Sequence, residues 1–394
     1  MTVHIYALYH LDFTGDRNQV RGVAASLKSQ FRRRGIKTLI EEIKEKNFKL
    51  PSNNKDCYIV TAGSHGLEIA KKIKKESPKE RVIWSGHQPF KALDSGVLPN
   101  IVALPQGTCD TDLKENLKGR TKLILTDGVP HVVSADTVAA DVEKVGTLVP
   151  RNGQKMVGII LGGDAPAPDG MRFFDEADAR RCAGLIAAQL KTMQNSVVHV
   201  TNGPRTGSHD HKTGQRLDPC PHRIGQQDAI TRVFVGALKE QLGEAIPIHV
   251  HDFQFAHLPS AYKPLLDAVR RTRGVLFVPS ESTSMVTESQ YVRQGGADVV
   301  VYSVSSENPS HTAHMNATYQ HGCCQILQKG GQMKAYTQDV MRHAPLAADA
   351  IAKEVIRPWC LPLRLASVAS LAALGLFSLS RRPLSGPHNN PTLT

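Results

Sequence analysis

The chain has 394 residues, 41% of them hydrophobic, enough for two or three domains with cores of their own and too many for a globally disordered chain. Its seven scattered cysteines (Cys57, Cys109, Cys182, Cys220, Cys323, Cys324 and Cys360) are odd in number, which argues against a disulfide-stapled scaffold and for a reducing compartment. The formal charge is +12, and residues 1–81 carry 17 Lys and Arg against 9 Asp and Glu, a net +8.

Arg32-Arg33-Arg34 and Lys71, Lys72, Lys74 and Lys75 are the densest basic clusters. Such a surface suits anionic lipid headgroups, phosphorylated substrates or nucleic acid, or it is a solvated helix face. No zinc finger, RNP motif or basic-zipper heptad accompanies the charge, so nucleic acid is not an expected partner. No apolar run follows the first Met, so no secretory leader is expected, and the body of the chain reads as soluble and cytoplasmic.

Taken in chain order, residues 4–8 form a strand, followed by a polar turn over 14–18. Val20, Val23, Ala24, Leu27 and Phe31 then recur at helical spacing until Gly35. Further strands are expected at 37–40, 57–60, 82–84, 101–104 and 123–125. The pattern restarts with a strand at 156–161 ending in Gly162-Gly163, a helix carrying Cys182, Leu185, Ile186, Leu190 and Met193 on one face, and a strand at 197–200. A long polar stretch spans 202–225. A helix around 230–238 follows, then strands at 246–250, 275–278 and 299–302. Strand alternating with helix is the grammar of a parallel sheet covered on both faces. The expected organisation is a first Rossmann-like domain over 1–149, a second over 150–344, a helix over 345–364 returning toward the first, and a tail over 365–394. Ligands of two facing doubly wound sheets bind in the cleft between them.

Residues 365–379 are apolar and uncharged, flanked by Arg364 and by Arg381-Arg382. At 1.5 Å per residue a helix of that length spans roughly 22 Å, short of the ~30 Å of a bilayer core. A membrane-contacting helix, a docked helix and a disordered extension all remain open for it.

The chemistry-bearing positions lie at strand ends. Gly162-Gly163 ends a buried strand ahead of a helix, where backbone N–H groups approach a diphosphate; a plain tight turn is the bland reading. The run Ser282-Thr283-Ser284-Met285-Val286-Thr287-Glu288 follows an apolar strand, and its hydroxyl residues would cap a helix or contact phosphate. Glu288, one turn in, suits two ribose hydroxyls or a solvated face. His209-x-His211 and Cys220-x-His222 match no strong zinc spacing, and no metal or cofactor is expected. His249 and His251 share a strand face and read as packing or cleft lining.

The Gly-Gly turn with the later Ser-Met-Val-Thr-Glu resembles the nucleotide-sugar half of GT-B glycosyltransferases. A closer resemblance, over most of residues 1–360, is to the mitochondrial-fission "elongated mitochondria" family of plants and its bacterial relatives, a family of predicted GT-B glycosyltransferases. It is carried by Gly15-Asp16-Arg17-Asn18-Gln19 with Gly22-Val23-Ala24, by Gly86-His87-Gln88-Pro89, by Asp127-Gly128-Val129-Pro130-His131, by Ile160-Leu161-Gly162-Gly163, by Phe174-Asp175-Glu176-Ala177-Asp178 and by Ser284-Met285-Val286-Thr287-Glu288. The resemblance implies the GT-B fold, two Rossmann-like domains facing a cleft, and transfer from a nucleotide-diphosphate sugar to a membrane-associated or envelope acceptor. Glu288 would then bind ribose; Gly162, Gly163, Ser284 and Met285 the diphosphate; Asn18, Gln19, Thr201 and Asn202 would line the cleft; and Arg205 would neutralise the leaving group. Asp16 or His87 would be the base for the acceptor hydroxyl. The turn departs from the pattern by continuing Asp164-Ala165-Pro166-Ala167-Pro168, where Asp164 would repel a diphosphate and the prolines lack N–H donors. A non-catalytic adaptor of the same fold at an anionic membrane surface is the alternative.

Overall fold

The computed structural model describes residues 2–10, 14–44, 48–49, 56–150, 153–167, 170–217, 227–254, 259–336 and 346–357. The first half runs β1 (Thr2–Tyr9), α1 (Thr14–Arg32), β2 (Lys37–Lys44), β3 (Cys57–Ala62), α2 (Gly63–Glu76), β4 (Arg81–Ser85), β5 (Ile101–Pro105), α3 (Thr111–Leu117), β6 (Lys122–Thr126) and α4 (Ala135–Val145). The second runs β7 (Lys155–Ile160), β8 (Ala165–Ala167), β9 (Gly170–Arg172), α5 (Glu176–Leu190), β10 (Ser196–Thr201), α6 (Ala229–Leu242), β11 (Ile248–His251), α7 (Tyr262–Thr272), β12 (Val275–Pro279), α8 (Thr283–Glu288), α9 (Gln290–Gln294), β13 (Asp298–Tyr302), α10 (Pro309–Gln320), β14 (Gln325–Leu327) and β15 (Met333–Lys334). The final described helix is α11 (Ala347–Ile356).

Two separate sheets result, ordered β2-β1-β3-β4-β5-β6 and β11-β10-β7-β12-β13-β14-β15. Within these two sheets all pairs are parallel except β14 with β15, and β8 and β9 form a separate antiparallel hairpin. The central strands are predominantly apolar, as burial on both faces requires: every residue of β3 and of β10 is buried. Edge strand β2 alternates between exposed and half-buried positions instead. Both sheets are doubly wound. The strand order reverses between β1 and β3 in the first and between β7 and β12 in the second, and these switch points open crevices at the strand C-termini. The strand ends of the two sheets face each other, the GT-B type of arrangement.

Helix α1 buries Val20, Val23, Ala24, Leu27 and Phe31 on β1, the face that its spacing foretells. The polar residues 14–18, expected as a turn, are the first turns of this helix. Asp16 there and Arg32 in the last turn both complement the helix dipole. The core boundary falls earlier than residue 149. Val133, just before α4, and Val138 within it belong to the core of the second half, and Asp141 pairs with Lys263 of α7 at 2.9 Å. Helix α11 crosses back to the first half, packing Ile351, Ala352, Val355 and Ile356 beside α1. Among the described residues no helix is long and apolar enough to cross a membrane, and the tail over 365–394 lies outside them.

Candidate functional site

The Gly162–Gly163 turn leaves β7 at the switch point of the second sheet. A helix does not follow it directly: the β8–β9 hairpin intervenes, and α5 starts only at Glu176 with Asp175 as its cap. The turn therefore has no helix dipole of its own behind it. It is held instead by side chains. Thr206 Oγ1 donates to the Gly162 carbonyl at 2.9 Å and Ser306 Oγ to the Gly163 carbonyl at 2.9 Å. The Asp164 amide donates to the Arg205 carbonyl at 3.0 Å, and a Cβ on Gly163 would lie 2.7 Å from Arg205 Cβ, so only glycine permits this approach.

Asp164 does not turn its side chain to the cleft. Its side chain is fully buried, accepting from Phe174 N (3.1 Å), Ser208 Oγ (3.0 Å), His209 Nδ1 (3.0 Å) and His211 Nε2 (3.2 Å). That accounts for His209 and His211; Cys220 and His222 lie outside the described residues. His249 and His251 pack around His199, with ring centroids at 4.7 and 5.0 Å.

The carboxylate at the turn belongs to Glu281, on the chain leaving β12. Its Oε1 accepts the Gly163 N–H at 2.9 Å and lies 3.7 Å from the Arg205 guanidinium. Its Oε2 is buried without a hydrogen-bond partner. Burial raises Glu281 to about 7, against Arg205 and the Gly163 N–H, which favour the ionised form. Its sequence signal is an acidic residue two positions after the apolar run that ends in Pro279.

Glu288, expected beside the same turn, takes Tyr262 as its partner, accepting the phenol at 2.6 Å. Burial raises it also to about 7, with the Tyr262 bond and Lys263 opposing. Ser284 and Met285 are half-buried at the mouth of the cleft, near Gly15 of α1 and Gly203 respectively. The short α8 is capped by Ser282 Oγ, which accepts the Met285 N–H at 3.4 Å.

Three expected cleft residues are engaged elsewhere. The Gln19 side-chain oxygen is buried and accepts Ser85 Oγ at 3.1 Å, tying α1 to the end of β4. Thr201 Oγ1 donates to the His251 carbonyl at 3.2 Å. The Asn202 amide nitrogen donates to Asp228 Oδ2 (3.0 Å) and Thr231 Oγ1 (2.9 Å), while its oxygen accepts the Phe253 N–H at 2.6 Å. A buried amide so saturated knits strand ends together rather than presenting a group to a ligand. Asn18 is half-buried on α1.

From the first half, the Asp16 carboxylate rests on Gly63, where β1 and β3 diverge; a Cβ on Gly63 would coincide with it. His87 follows β4 and packs edge-on against Phe90 at 5.7 Å. Burial and then the charge of Arg205, reaching it from the opposite half, hold its imidazole below the usual range. His311 and His314 of α10 join the group. Burial brings them to about 3 and about 4, with Arg205 and His87 acting further on His311 and His87 on His314. His311 Nδ1 accepts the Asn308 N–H at 3.2 Å, leaving the proton of the neutral ring on Nε2. Sequence reasoning missed both; two histidines three apart behind an Asn-Pro helix start share one helix face. The cleft therefore collects neutral imidazoles around Arg205, a setting suited to an anion that brings its own charge.

No family model and no curated protein matches the chain. Among solved structures, apo OtsA aligns at a TM-score of 0.43 with 9% identity, over 89% of this chain and 93% of that one. A trehalose-6-phosphate structure from E. coli bound with UDP-2-fluoro glucose aligns at 0.43 with 10% identity, over 90% and 95%. The N-terminal domain of the Candida albicans trehalose-6-phosphate phosphatase aligns at 0.45 with 8% identity, over 90% and 96%. Likeness at this level assigns neither a family nor a substrate.

Proposed function

We propose that the chain is a GT-B glycosyltransferase that moves a sugar from a nucleotide-diphosphate sugar to the hydroxyl of an acceptor, and that it belongs with the mitochondrial-fission family whose motifs it resembles. The observation that carries the reading is Arg205, packed on Gly163 at the switch point of one sheet, whose charge reaches His87 at a strand end of the other. Arg205 would neutralise the leaving diphosphate, as fixed positive groups do in place of a metal. Ser284 and Met285 would flank it. Glu288 would take the ribose by exchanging the Tyr262 hydroxyl for ribose hydroxyls. His87, held neutral, is the better base of the two candidates: it would accept the acceptor's hydroxyl proton as that oxygen bonds to the anomeric carbon and the diphosphate departs with the bonding pair. Asp16 would orient the acceptor from α1.

The acceptor reading follows the charge: the basic first half and the apolar tail suit an envelope or membrane-bound acceptor reached from the cytoplasmic side. One observation favours the second reading, a non-catalytic adaptor at a membrane surface: the Gly163 N–H that a diphosphate would use already holds Glu281. A thermal-shift panel of nucleoside diphosphates and nucleotide sugars separates the two. The transferase reading expects at least one to raise the melting temperature, and Arg205→Gln to weaken it by about tenfold or more, the worth of a charge-assisted hydrogen bond. His87→Gln should then abolish transfer while leaving donor binding in place. A flat panel with the full-length protein leaves the adaptor.

A further inference from the structure

Four polar groups of the turn after β7 are in use: both glycine carbonyls take hydroxyls, the Asp164 N–H takes the Arg205 carbonyl, and the Gly163 N–H takes Glu281. Three of those partners are neutral. The fourth is a carboxylate, at the amide and the guanidinium that an anionic ligand would need. It is only 2% exposed, and its second oxygen is buried without a partner. A buried carboxylate with an orphaned oxygen is unfavourable in its ionised form unless something nearby calls for the charge. Here that is Arg205, which has Glu281 as its ion-pair partner across 3.7 Å.

We propose that Glu281 is an internal counter-ligand: with the cleft empty its carboxylate neutralises Arg205 and fills the Gly163 amide, and a nucleoside diphosphate that takes over these contacts drives one proton from solvent onto the unpartnered Glu281 oxygen. Diphosphate binding is then proton-coupled. This rests on the transferase reading of the same turn, and it removes the objection that the amide is already occupied.

The physical cause is like-charge repulsion. A second anion placed beside a carboxylate shielded from water raises the carboxyl pKa further, because the two charges cannot both persist there. Glu281 starts near 7, so little is needed to protonate it at neutral pH. The other groups that face it do not supply this behaviour. Arg205 is the cation it pairs with. Cys182 of α5 and Tyr302 of β13 are pushed up by burial, away from neutrality. Asp178 of α5 is engaged with Arg181, and Glu307, beyond β13, with Ser280 Oγ and Lys329. His87, His311 and His314 would also respond to an incoming anion. Burial starts His311 and His314 at about 3 and about 4 and holds His87 below its ordinary value, however, so their uptake belongs to acidic solution.

Isothermal titration of the full-length protein with UDP, and with inorganic pyrophosphate, in buffers of different ionisation enthalpy reads the coupling directly. Just above neutrality, uptake should approach one proton per ligand, and affinity should fall toward tenfold per pH unit as the solution is made more alkaline. The isosteric Glu281→Gln should bind with little uptake and a flattened pH dependence. If UDP or pyrophosphate binds the wild type with no uptake above neutrality, or with uptake confined to acidic solution, the counter-ligand role is overturned while the transferase reading stands. Uptake that persists in a folded Glu281→Gln protein overturns it equally. Should neither probe bind either protein at any pH, both readings fall together.

Discussion

The amide of Val129 donates to Thr287 Oγ1 at 3.2 Å, and the preceding Gly128 leaves no room for a Cβ against that same hydroxyl. Gly128 has φ of 125°, a conformation that side-chain-bearing residues rarely adopt. With Gln290 Nε2 on the Asp127 carbonyl at 2.6 Å and His321 on the Asp127 carboxylate at 2.8 Å, this loop is where the two halves are fastened. Gly128→Ala should therefore lower stability by about 1–3 kcal/mol, from strain and from separation of the fastening. Denaturant unfolding followed by fluorescence checks it; a change within about 0.5 kcal/mol would show that the halves are not joined there.

Glu281 and Glu288 both rise in the folded protein from 4.5 to about 7. The native state thus binds more protons than the unfolded chain between those values. Their contribution to stability is fully present below about 4.5 and is lost as the pH rises through 7. The buried imidazoles His199, His311 and His314, lowered to about 4, about 3 and about 4, act in the opposite sense below about 6.5. The carboxyl effect is accordingly read as a difference. Relative to wild type, Glu281→Gln should gain on the order of 3 kcal/mol between about pH 4.5 and 8. Parallel stability curves for the two proteins across that window would rule this out.

The two roles open to Glu288 separate in a pair of variants. Tyr262→Phe removes the phenol and leaves the carboxylate, which should cost about 1–3 kcal/mol of stability while leaving nucleotide affinity equal or tighter. Glu288→Ala should weaken a nucleoside diphosphate by about tenfold or more if ribose takes the place of Tyr262. Equal affinity in folded Glu288→Ala and wild type would leave Glu288 a packing residue alone.

For the membrane reading, full-length protein should sediment with anionic vesicles at low salt, and truncation after Arg364 should weaken this strongly, since stable anchoring takes two signals. The basic signal is smaller than the sequence count suggests. Lys74 is buried with its ammonium on the Glu80 carbonyl at 2.9 Å, and Lys71 donates to the Ala92 carbonyl at 2.5 Å. The exposed cations left in those clusters are Arg32, Arg33, Arg34, Lys72 and Lys75, each worth on the order of 1 kcal/mol near an anionic leaflet. Equal sedimentation of truncated and full-length protein would end the membrane reading.

The fold was legible because its signal is local. Central strands such as β3 and β10 are rich in β-branched and apolar residues and buried along their whole length, and α1 repeats its apolar residues at helical spacing. In the candidate site the sequence places residues where they follow strand ends, as Gly162 and Gly163 follow β7 and His87 follows β4. Gln19 and Asn202 looked like ligand-facing amides, and nothing local says that Ser85, Asp228, Thr231 and Phe253 will saturate them, since those partners arrive from other strands and helices. Glu281 and Glu288 cannot be told apart locally for the same reason. Which of two nearby carboxylates meets the Gly-Gly turn depends on the β7–β12 pairing, a contact across 118 positions of sequence.

Helix α11 has a consequence for the chain as it leaves the ribosome. Ser26 Oγ on α1 donates to Asp349 Oδ1 on α11 at 2.6 Å, across 323 positions of sequence. Ile351, Ala352, Val355 and Ile356 complete the same core as Val20, Val23 and Leu27. At roughly 5–20 residues per second of synthesis, α1 is made on the order of 15–60 s before the helix that covers it. Through that interval the first half presents an uncovered apolar face in the crowded cell. Its final closure therefore has to follow translation of the second half, and a nascent chain stalled before residue 347 should be a chaperone client rather than an independently finished domain.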